Sequence, residues 1–184
     1  MNPNSHIFQN TQGTIYLKES LKQEDPVKAS YLRDKGKDIL MATARKYDSP
    51  FHYHSLANKL ISWYKNYPTE RDKKIIEEIQ DILSEATRLY PTDPLIMVEV
   101  GRLQEIIPNL DSAKSYFQKA IDISPRNISA RYLLAKILIK EDDLARALEI
   151  CSEGVILKDD EVLLNRLLLE IMHKLGAKEE NIID

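Results

Sequence analysis

The chain has 184 residues, of which 43% are hydrophobic and 30% are charged, and its formal net charge at pH 7 is −3. This length allows one domain or a short array of small units with a buried core, and the composition argues against intrinsic disorder. Because acidic residues slightly outnumber basic ones, no global positive field is available for a phosphate backbone, and we expect no nucleic-acid binding.

The compartment follows from what the sequence lacks. One cysteine, Cys151, cannot form an intramolecular disulfide, and no leader or apolar run of about 18 residues predicts secretion or membrane insertion. We therefore expect a cytoplasmic protein that does not contact a membrane. Five glycines and three phenylalanines leave little material for hairpins, which favours helices.

Residues 1–49 are predicted to form a degenerate helix pair. Gly13 and Tyr16 lie at repeat-like positions of the first helix, and the second is a long helix with a charged middle around Gly36. A glycine there costs about 1 kcal/mol of helix propensity relative to alanine.

Residues 50–93 are predicted to form a lengthened helix pair. Relative to the next repeat, ten residues are inserted between Leu60 and Ile79. The insertion contains Trp63 and Tyr64, which we interpret with Tyr67 and Tyr90 as local core; the alternative is an aromatic recognition patch.

Residues 94–127 carry the clearest repeat. The ending Ala120-Ile-Asp-Ile-Ser-Pro125 echoes Ala86-Thr-Arg-Leu-Tyr-Pro91 at a spacing of 34 residues. Within the unit, these residues follow the pattern W-x-x-L-G-x-x-Y and then A-x-x-x-F with a terminal proline: Met97, Val100, Gly101, Gln104, Ala113, Phe117 and Pro125. The unit resembles a tetratricopeptide repeat (TPR).

Residues 128–159 are a weaker copy of the same repeat. Its matching positions are Arg131, Leu134, Ala135, Leu138, Ala147, Cys151 and Asp159. Pro50 and Pro94 suit the first position of a helix, and Asn109 and Asp143 suit N-caps of second helices.

Residues 160–176 are predicted to form a capping helix, and residues 177–184 a flexible tail. One arc of the helix is apolar and should cover the last repeat: Leu164, Leu167, Leu168, Ile171, Met172 and Leu175. Val162 and Leu169 interrupt the polar side. We expect a monomer, with a dimer contact through these two residues as the alternative.

Together the patterns predict nine helices, near residues 4–20, 26–47, 51–66, 70–90, 94–107, 110–124, 128–140, 143–157 and 160–175. The TPR resemblance implies an all-α, right-handed superhelical solenoid of antiparallel helix pairs. It also implies that the first helices line a concave partner-binding groove. The groove residues implied are Phe51, His54, Asn58, Ile61, Leu95, Val98, Arg102, Glu105, Tyr132, Lys136 and Lys140.

Catalytic patterns are missing from the sequence. Neither G-x-x-x-x-G-K-[ST] nor G-x-G-x-x-G occurs, so no nucleotide site is predicted. His52 and His54 point to different sides of one helix, which disfavours a metal site, and Cys151 occupies a packing position. We expect no enzyme activity, no cofactor and no metal.

The sequence therefore predicts a non-enzymatic module that binds a protein or peptide, of acidic and hydrophobic character, in its groove. One alternative is the regulatory TPR portion of a larger enzyme or NTPase, because loose pairs leading into better repeats resemble the tails of STAND-type signalling NTPases. A receptor for chaperone tails is disfavoured. His54 and Asn58 stand where that TPR subclass has a lysine and an asparagine, but Glu99 replaces its next asparagine.

Overall fold

The structure, a computed structural model, describes residues 5–66, 73–157 and 162–180, with side chains described in 6–66, 73–157 and 162–176. Over these ranges the chain forms nine α-helices and no strand, as predicted. The helices are α1 (Ser5–Ser20), α2 (Pro26–Tyr47), α3 (Pro50–Asn66), α4 (Lys73–Leu89), α5 (Pro94–Ile106), α6 (Leu110–Ile123), α7 (Ile128–Lys140), α8 (Leu144–Leu157) and α9 (Val162–Glu180). The predicted helix starts at 4, 70 and 160 lie outside the described residues, as do Tyr67 and Asp159.

The helix ends follow the local sequence. Pro50 and Pro94 begin α3 and α5, where the missing backbone N–H would have no intrahelical partner. Asn109 Oδ1 accepts a hydrogen bond from the Ser112 amide at 3.2 Å, and Asp143 Oδ1 accepts one from the Arg146 amide at 3.2 Å. Both predicted N-caps are confirmed.

The chain divides into two compact units, Met1–Glu99 and Val100–Asp184. The division falls inside α5, whereas the repeat pattern places its boundary at residue 94. Each unit has its own buried residues.

In the first unit, α1 packs against α2 and α3, and α3 packs against α2 and α4. Small buried residues lie where the helices approach, among them Gly13, Gly36 and Ala57. The large side chains of Tyr53 and Trp63 are almost fully buried and fill the space between the helices. Trp63 therefore belongs to the core, as predicted.

In the second unit, α7 packs against α6 and α8. Gly101 touches the Phe117 ring so closely that an added Cβ would lie 2.5 Å from Cε1 of Phe117. The repeat pattern therefore needs a glycine on α5 because of the aromatic residue on α6: Gly101 leaves the space that the Phe117 ring fills.

Helix α9 packs on α7 and α8, as expected of a cap. Leu164, Leu167 and Ile171 are buried, but Met172 is 63% exposed, so its predicted place in the buried arc is wrong. The fully buried stripe is at i, i+3 and i+7, whereas Leu168 and Leu175 are half-buried. Residues 177–180 of the predicted tail continue α9, and residues 181–184 lie outside the described residues.

Candidate functional site

A groove lies between α1 and α3 in the first unit. It consists of two recesses, of about 340 Å³ and about 200 Å³, which share Thr14 and Lys18 in their linings. The first recess is lined by His6, Ile7, Asn10, Thr11, Thr14, Ile15, Lys18 and Phe51. The second is lined by Thr14, Leu17, Lys18, Leu21, Asn58, Lys59, Ser62, Trp63 and Asn66. We call this continuous surface the α1–α3 groove.

One end of the α1–α3 groove is apolar. Ile7 is 57% exposed, Ile15 is 52% exposed and Phe51 is 55% exposed, although all three line the same recess. Large apolar side chains left together in water are typical of a surface that contacts a partner.

The second recess combines the apolar side chains of Leu17, Leu21 and Trp63 with two lysines, Lys18 and Lys59, of which Lys18 also lines the first recess. The Lys59 ammonium donates to Ser55 Oγ and to the Ser55 carbonyl, the latter at 3.5 Å. Burial lowers the pKa of Lys59, and the nearby charge of Lys18 lowers it further. Neither lysine has a carboxylate partner among the described residues, and no described residue lining the groove is acidic.

Glu99 lies behind the predicted residues His54 and Asn58. Asn58 Nδ2 donates to Glu99 Oε1 at 3.2 Å, and His54 Nδ1 lies 3.3 Å from the same oxygen. The Glu99 side chain is almost fully buried. The Glu99 carboxylate already accepts the hydrogen bond from Asn58, and a carboxylate at this place argues against a clamp for a second carboxylate.

Two residues predicted to line the groove are not at the surface. Ile61 is fully buried and Val98 is only 4% exposed, so both lie in the core and the prediction for them is wrong. The repeat pattern places them on the partner-facing side of α3 and α5, whereas in the structure both side chains are buried. Leu95 and Phe51 remain exposed.

The predicted residues divide between the two units. Phe51, His54, Asn58, Ile61, Leu95 and Val98 belong to the first, and Arg102, Glu105, Tyr132, Lys136 and Lys140 belong to the second. In the second unit, Tyr132, Lys136 and Lys140 recur every four residues on α7, so they share one face. The Lys136 ammonium lies 5.4 Å from the centre of the Tyr132 ring. Arg102 and Glu105 are half-buried on α5.

His6 and His52 belong to an aromatic cluster with Tyr47 and Phe51. His52 stacks on Tyr47 with ring centres 5.7 Å apart and meets His6 edge-on at 5.7 Å. Both ring nitrogens of His52 are buried without a hydrogen-bond partner among the described residues. Burial lowers the pKa of His52, and His6 lowers it further. Within the described ranges, no three metal-ligating side chains come together.

Cys151 and Trp63 have structural roles. Cys151 is fully buried, and burial raises the pKa of its thiol to about 11. Trp63 Nε1 donates to Ser20 Oγ at 2.6 Å, and the Arg33 guanidinium lies 5.3 Å from the centre of its ring. The thiol is therefore a packing group, and the indole is anchored rather than free to recognise a ligand from outside.

Sequence reasoning missed the contribution of α1. The residues that line the groove from this helix follow a helical stripe, Ile7, Thr11, Thr14 and Lys18, and Leu21 follows directly after the helix. That spacing was visible, but because the repeat match of residues 1–49 is poor, no groove residue was assigned to α1. Lys59 was missed because the repeat pattern assigns the groove to its neighbour Asn58.

No helix in the described part of the chain is long and apolar enough to cross a bilayer.

The antiparallel helix pairs and the 34-residue period define a helical-repeat protein. A family model described as tetratricopeptide repeat matches residues 109–171. The TPR resemblance seen in the sequence is thus confirmed, and proteins of this family generally serve as non-catalytic interaction scaffolds. No curated protein matches the sequence significantly.

Solved structures of TPR proteins share the fold. A thermophilic TPR protein of Thermus thermophilus aligns with a TM-score of 0.66 and 17% identity, covering 85% of this chain and 87% of that one. The assembly chaperone of RpL4, Acl4, aligns with a TM-score of 0.56 and 18% identity, covering 92% of this chain and 70% of that one. The TPR-like, all-α fold class is confirmed.

Proposed function

We propose that this protein is a non-enzymatic interaction module whose helical surface binds a segment of another protein. The observation that carries the proposal is the α1–α3 groove, where Ile7, Ile15 and Phe51 together leave apolar surface in water. Such a recess between two helices suits side chains of a bound peptide. The fold supports this proposal, because TPR proteins act as interaction scaffolds, and one neighbour is named for its action on another protein, RpL4.

The second unit supports the same function with charge. Lys136 and Lys140 are exposed on the face of α7 that also presents Tyr132. Basic side chains beside an aromatic ring favour a partner that is acidic as well as hydrophobic, and they speed its association.

Affinity purification from the source cells, followed by Kd measurement with the purified partner, tests this function. Phe51→Ser should weaken binding at least tenfold, because Phe51 is the exposed aromatic side chain of the groove. The control is Ile156→Ser on α8, which removes an even more exposed apolar side chain outside the groove. Equal binding by the parent and Phe51→Ser, or the absence of any partner with micromolar affinity, would contradict the proposal.

A further inference from the structure

His6 and His52 bring the first turns of two helices together. His6 is the second residue of α1, and His52 is the third residue of α3. Their ring centres are 5.7 Å apart, and the ring of Tyr47, at the end of α2, lies 5.3 Å from His6 and 5.7 Å from His52. A contact of three rings therefore joins the start of α1 to α2 and α3.

This contact is poorly suited to a positive charge. His52 is 8% exposed, and both its ring nitrogens are buried without a hydrogen-bond partner among the described residues. A protonated ring there would lose its hydration without gaining a hydrogen bond. Both histidines also lie at the N-terminal ends of their helices, where the helix dipole disfavours a cation. Protonation of either ring therefore weakens the contact.

The charged groups around His52 do not compensate for its protonation. His6 faces it from α1 and Tyr47 faces it from α2, where the Lys46 ammonium adds a positive charge 5.3 Å from the centre of the Tyr47 ring. The carboxylates of the neighbouring segments are bonded to other groups: Asp48 to Tyr90, Glu85 to Tyr53, and Glu99 to Asn58. No described carboxylate is thus paired with His52.

We propose that the contact between His6 and His52 is acid-sensitive: it holds the start of α1 against α3 at neutral pH and releases it in acid. Release lets water reach the ring nitrogens of His52, so the open form takes up a proton that the closed form resists. His6 and Ile7 line the first recess of the α1–α3 groove together with Phe51, so release also opens that end of the groove. The effect of pH on binding rests on the proposed function, whereas the release itself is a property of the chain alone.

Proton linkage sets the size of the effect. In the closed form, burial and the nearby His6 lower the pKa of His52. In the open form, where water reaches the ring, the ordinary histidine pKa of about 6.5 returns. An open form that binds this one proton, compared with a closed form that binds none, becomes about tenfold more populated between pH 7.5 and 5.5.

Hydrogen–deuterium exchange of the full chain tests the release without any partner. The amides of residues 10–13 donate to the carbonyls of residues 6–9, so they exchange when the start of α1 opens. After correction for the intrinsic effect of pH on exchange, their protection should fall about tenfold from pH 7.5 to 5.5. It should also stay below the protection of residues 40–44 of α2, because local release costs less than unfolding of the unit.

Matched histidine variants identify the source of the pH dependence. His52→Phe keeps an aromatic ring in the contact but cannot be protonated, so it should remove most of the fall in protection. His173→Gln removes a histidine at an exposed site on α9 and should leave the full fall in place. Nuclear magnetic resonance of the parent gives a measurement that needs no variant: the His52 ring should gain its proton over the same pH range in which residues 10–13 lose protection.

Three outcomes would overturn the acid-sensitive contact. The first is unchanged protection of residues 10–13 across this pH range, and the second is the same fall in His52→Phe as in the parent. The third is equal protection of residues 10–13 and 40–44 at both pH values, because α1 would then leave only when the whole unit unfolds.

Binding measurements keep this inference separate from the proposed function. A partner whose binding depends on Phe51 should have a higher Kd at pH 5.5 than at pH 7.5, and His52→Phe should reduce that difference. Equal Kd values at the two pH values would overturn the effect of release on binding. The absence of any partner would contradict the proposed function, while the exchange experiment would still decide whether α1 is released in acid.

Discussion

Gly13 of α1 and Gly36 of α2 face each other so closely that neither has room for a side chain. A Cβ added at Gly36 would lie 2.8 Å from the Gly13 carbonyl oxygen, and one added at Gly13 would lie 2.9 Å from the Gly36 carbonyl oxygen. Because these neighbours are backbone atoms, they cannot rotate away. The glycine pair therefore sets how near α1 approaches α2, and so where α1 stands beside the groove.

Gly36→Ala should destabilise the protein by about 1–3 kcal/mol, even though alanine is the better helix former, because the helices must separate to accept the methyl group. Urea unfolding followed by circular dichroism measures the change. The control is Gly176→Ala on α9, where an added Cβ meets nothing within 4 Å. It should be neutral or stabilising by up to about 1 kcal/mol. Equal midpoints for Gly36→Ala and the parent would show that the two helices are not tightly packed.

Leu164→Ala should cost about 2–5 kcal/mol, because Leu164 is fully buried where α9 covers the second unit. Leu169→Ala on the exposed side of the same helix should change the free energy of unfolding by less than about 0.5 kcal/mol. Chemical denaturation of both variants provides the comparison. If Leu164→Ala and Leu169→Ala unfold at the same midpoint, α9 is not a packed cap. Analytical sedimentation of the parent and of Leu169→Ala tests the predicted monomer. Both proteins should then sediment with the mass of one chain.

Stability should fall as the pH is lowered from 7.5 to 5.5, with His52 contributing to the fall. The pKa of His52 is lowered in the folded protein by burial and by His6, so the unfolded chain binds a proton more readily. Its contribution is present above the ordinary histidine pKa of about 6.5 and is lost as the pH drops toward the folded-state value. His52→Leu should flatten the dependence measured by urea unfolding, whereas His173→Gln, at an exposed site on α9, should not. An unchanged slope in His52→Leu would exclude His52 as the source.

Changing Lys136 and Lys140 together to glutamate should slow association with the captured partner and weaken the dependence of that rate on salt, because the exposed charges that steer encounter are reversed. The control pair, Lys119→Glu with Lys174→Glu, makes the same change in net charge at exposed positions outside α7. Stopped-flow or surface binding at several salt concentrations gives the rates. Identical rates for the two double variants would place the steering surface elsewhere.

Much of the fold could be predicted because local signals coincide with packing. The prolines and N-cap residues mark helix ends through the chemistry of the first turn, and the 34-residue period identifies the pairs that stack. The site was harder to predict, because the repeat pattern describes each residue only by its position in a regular stack of helix pairs. It could not foresee that Val98 is covered or that Lys18 and Lys59 line one recess, because these depend on contacts between distant segments.

Arg131 shows the same limit at a repeat position. In the weaker repeat it occupies the place of a large aromatic residue, yet it is buried. Its guanidinium donates to the carbonyl oxygens of Pro125 and Ile150 at 2.9 and 3.1 Å and pairs with Glu153 at 2.9 Å. The long aliphatic stem fills the space of the aromatic ring, while the charged end finds partners that no repeat pattern specifies.

The buried thiol of Cys151 makes the protein convenient for site-specific chemistry. With a pKa of about 11, only on the order of one in ten thousand of these thiols is ionised at pH 7, and burial also shields the sulfur from reagents. Since the chain contains one cysteine, a second one introduced at the exposed Thr11 would be the sole reactive thiol. A fluorophore or crosslinker attached there would stand at the rim of the α1–α3 groove without any need to replace the native cysteine.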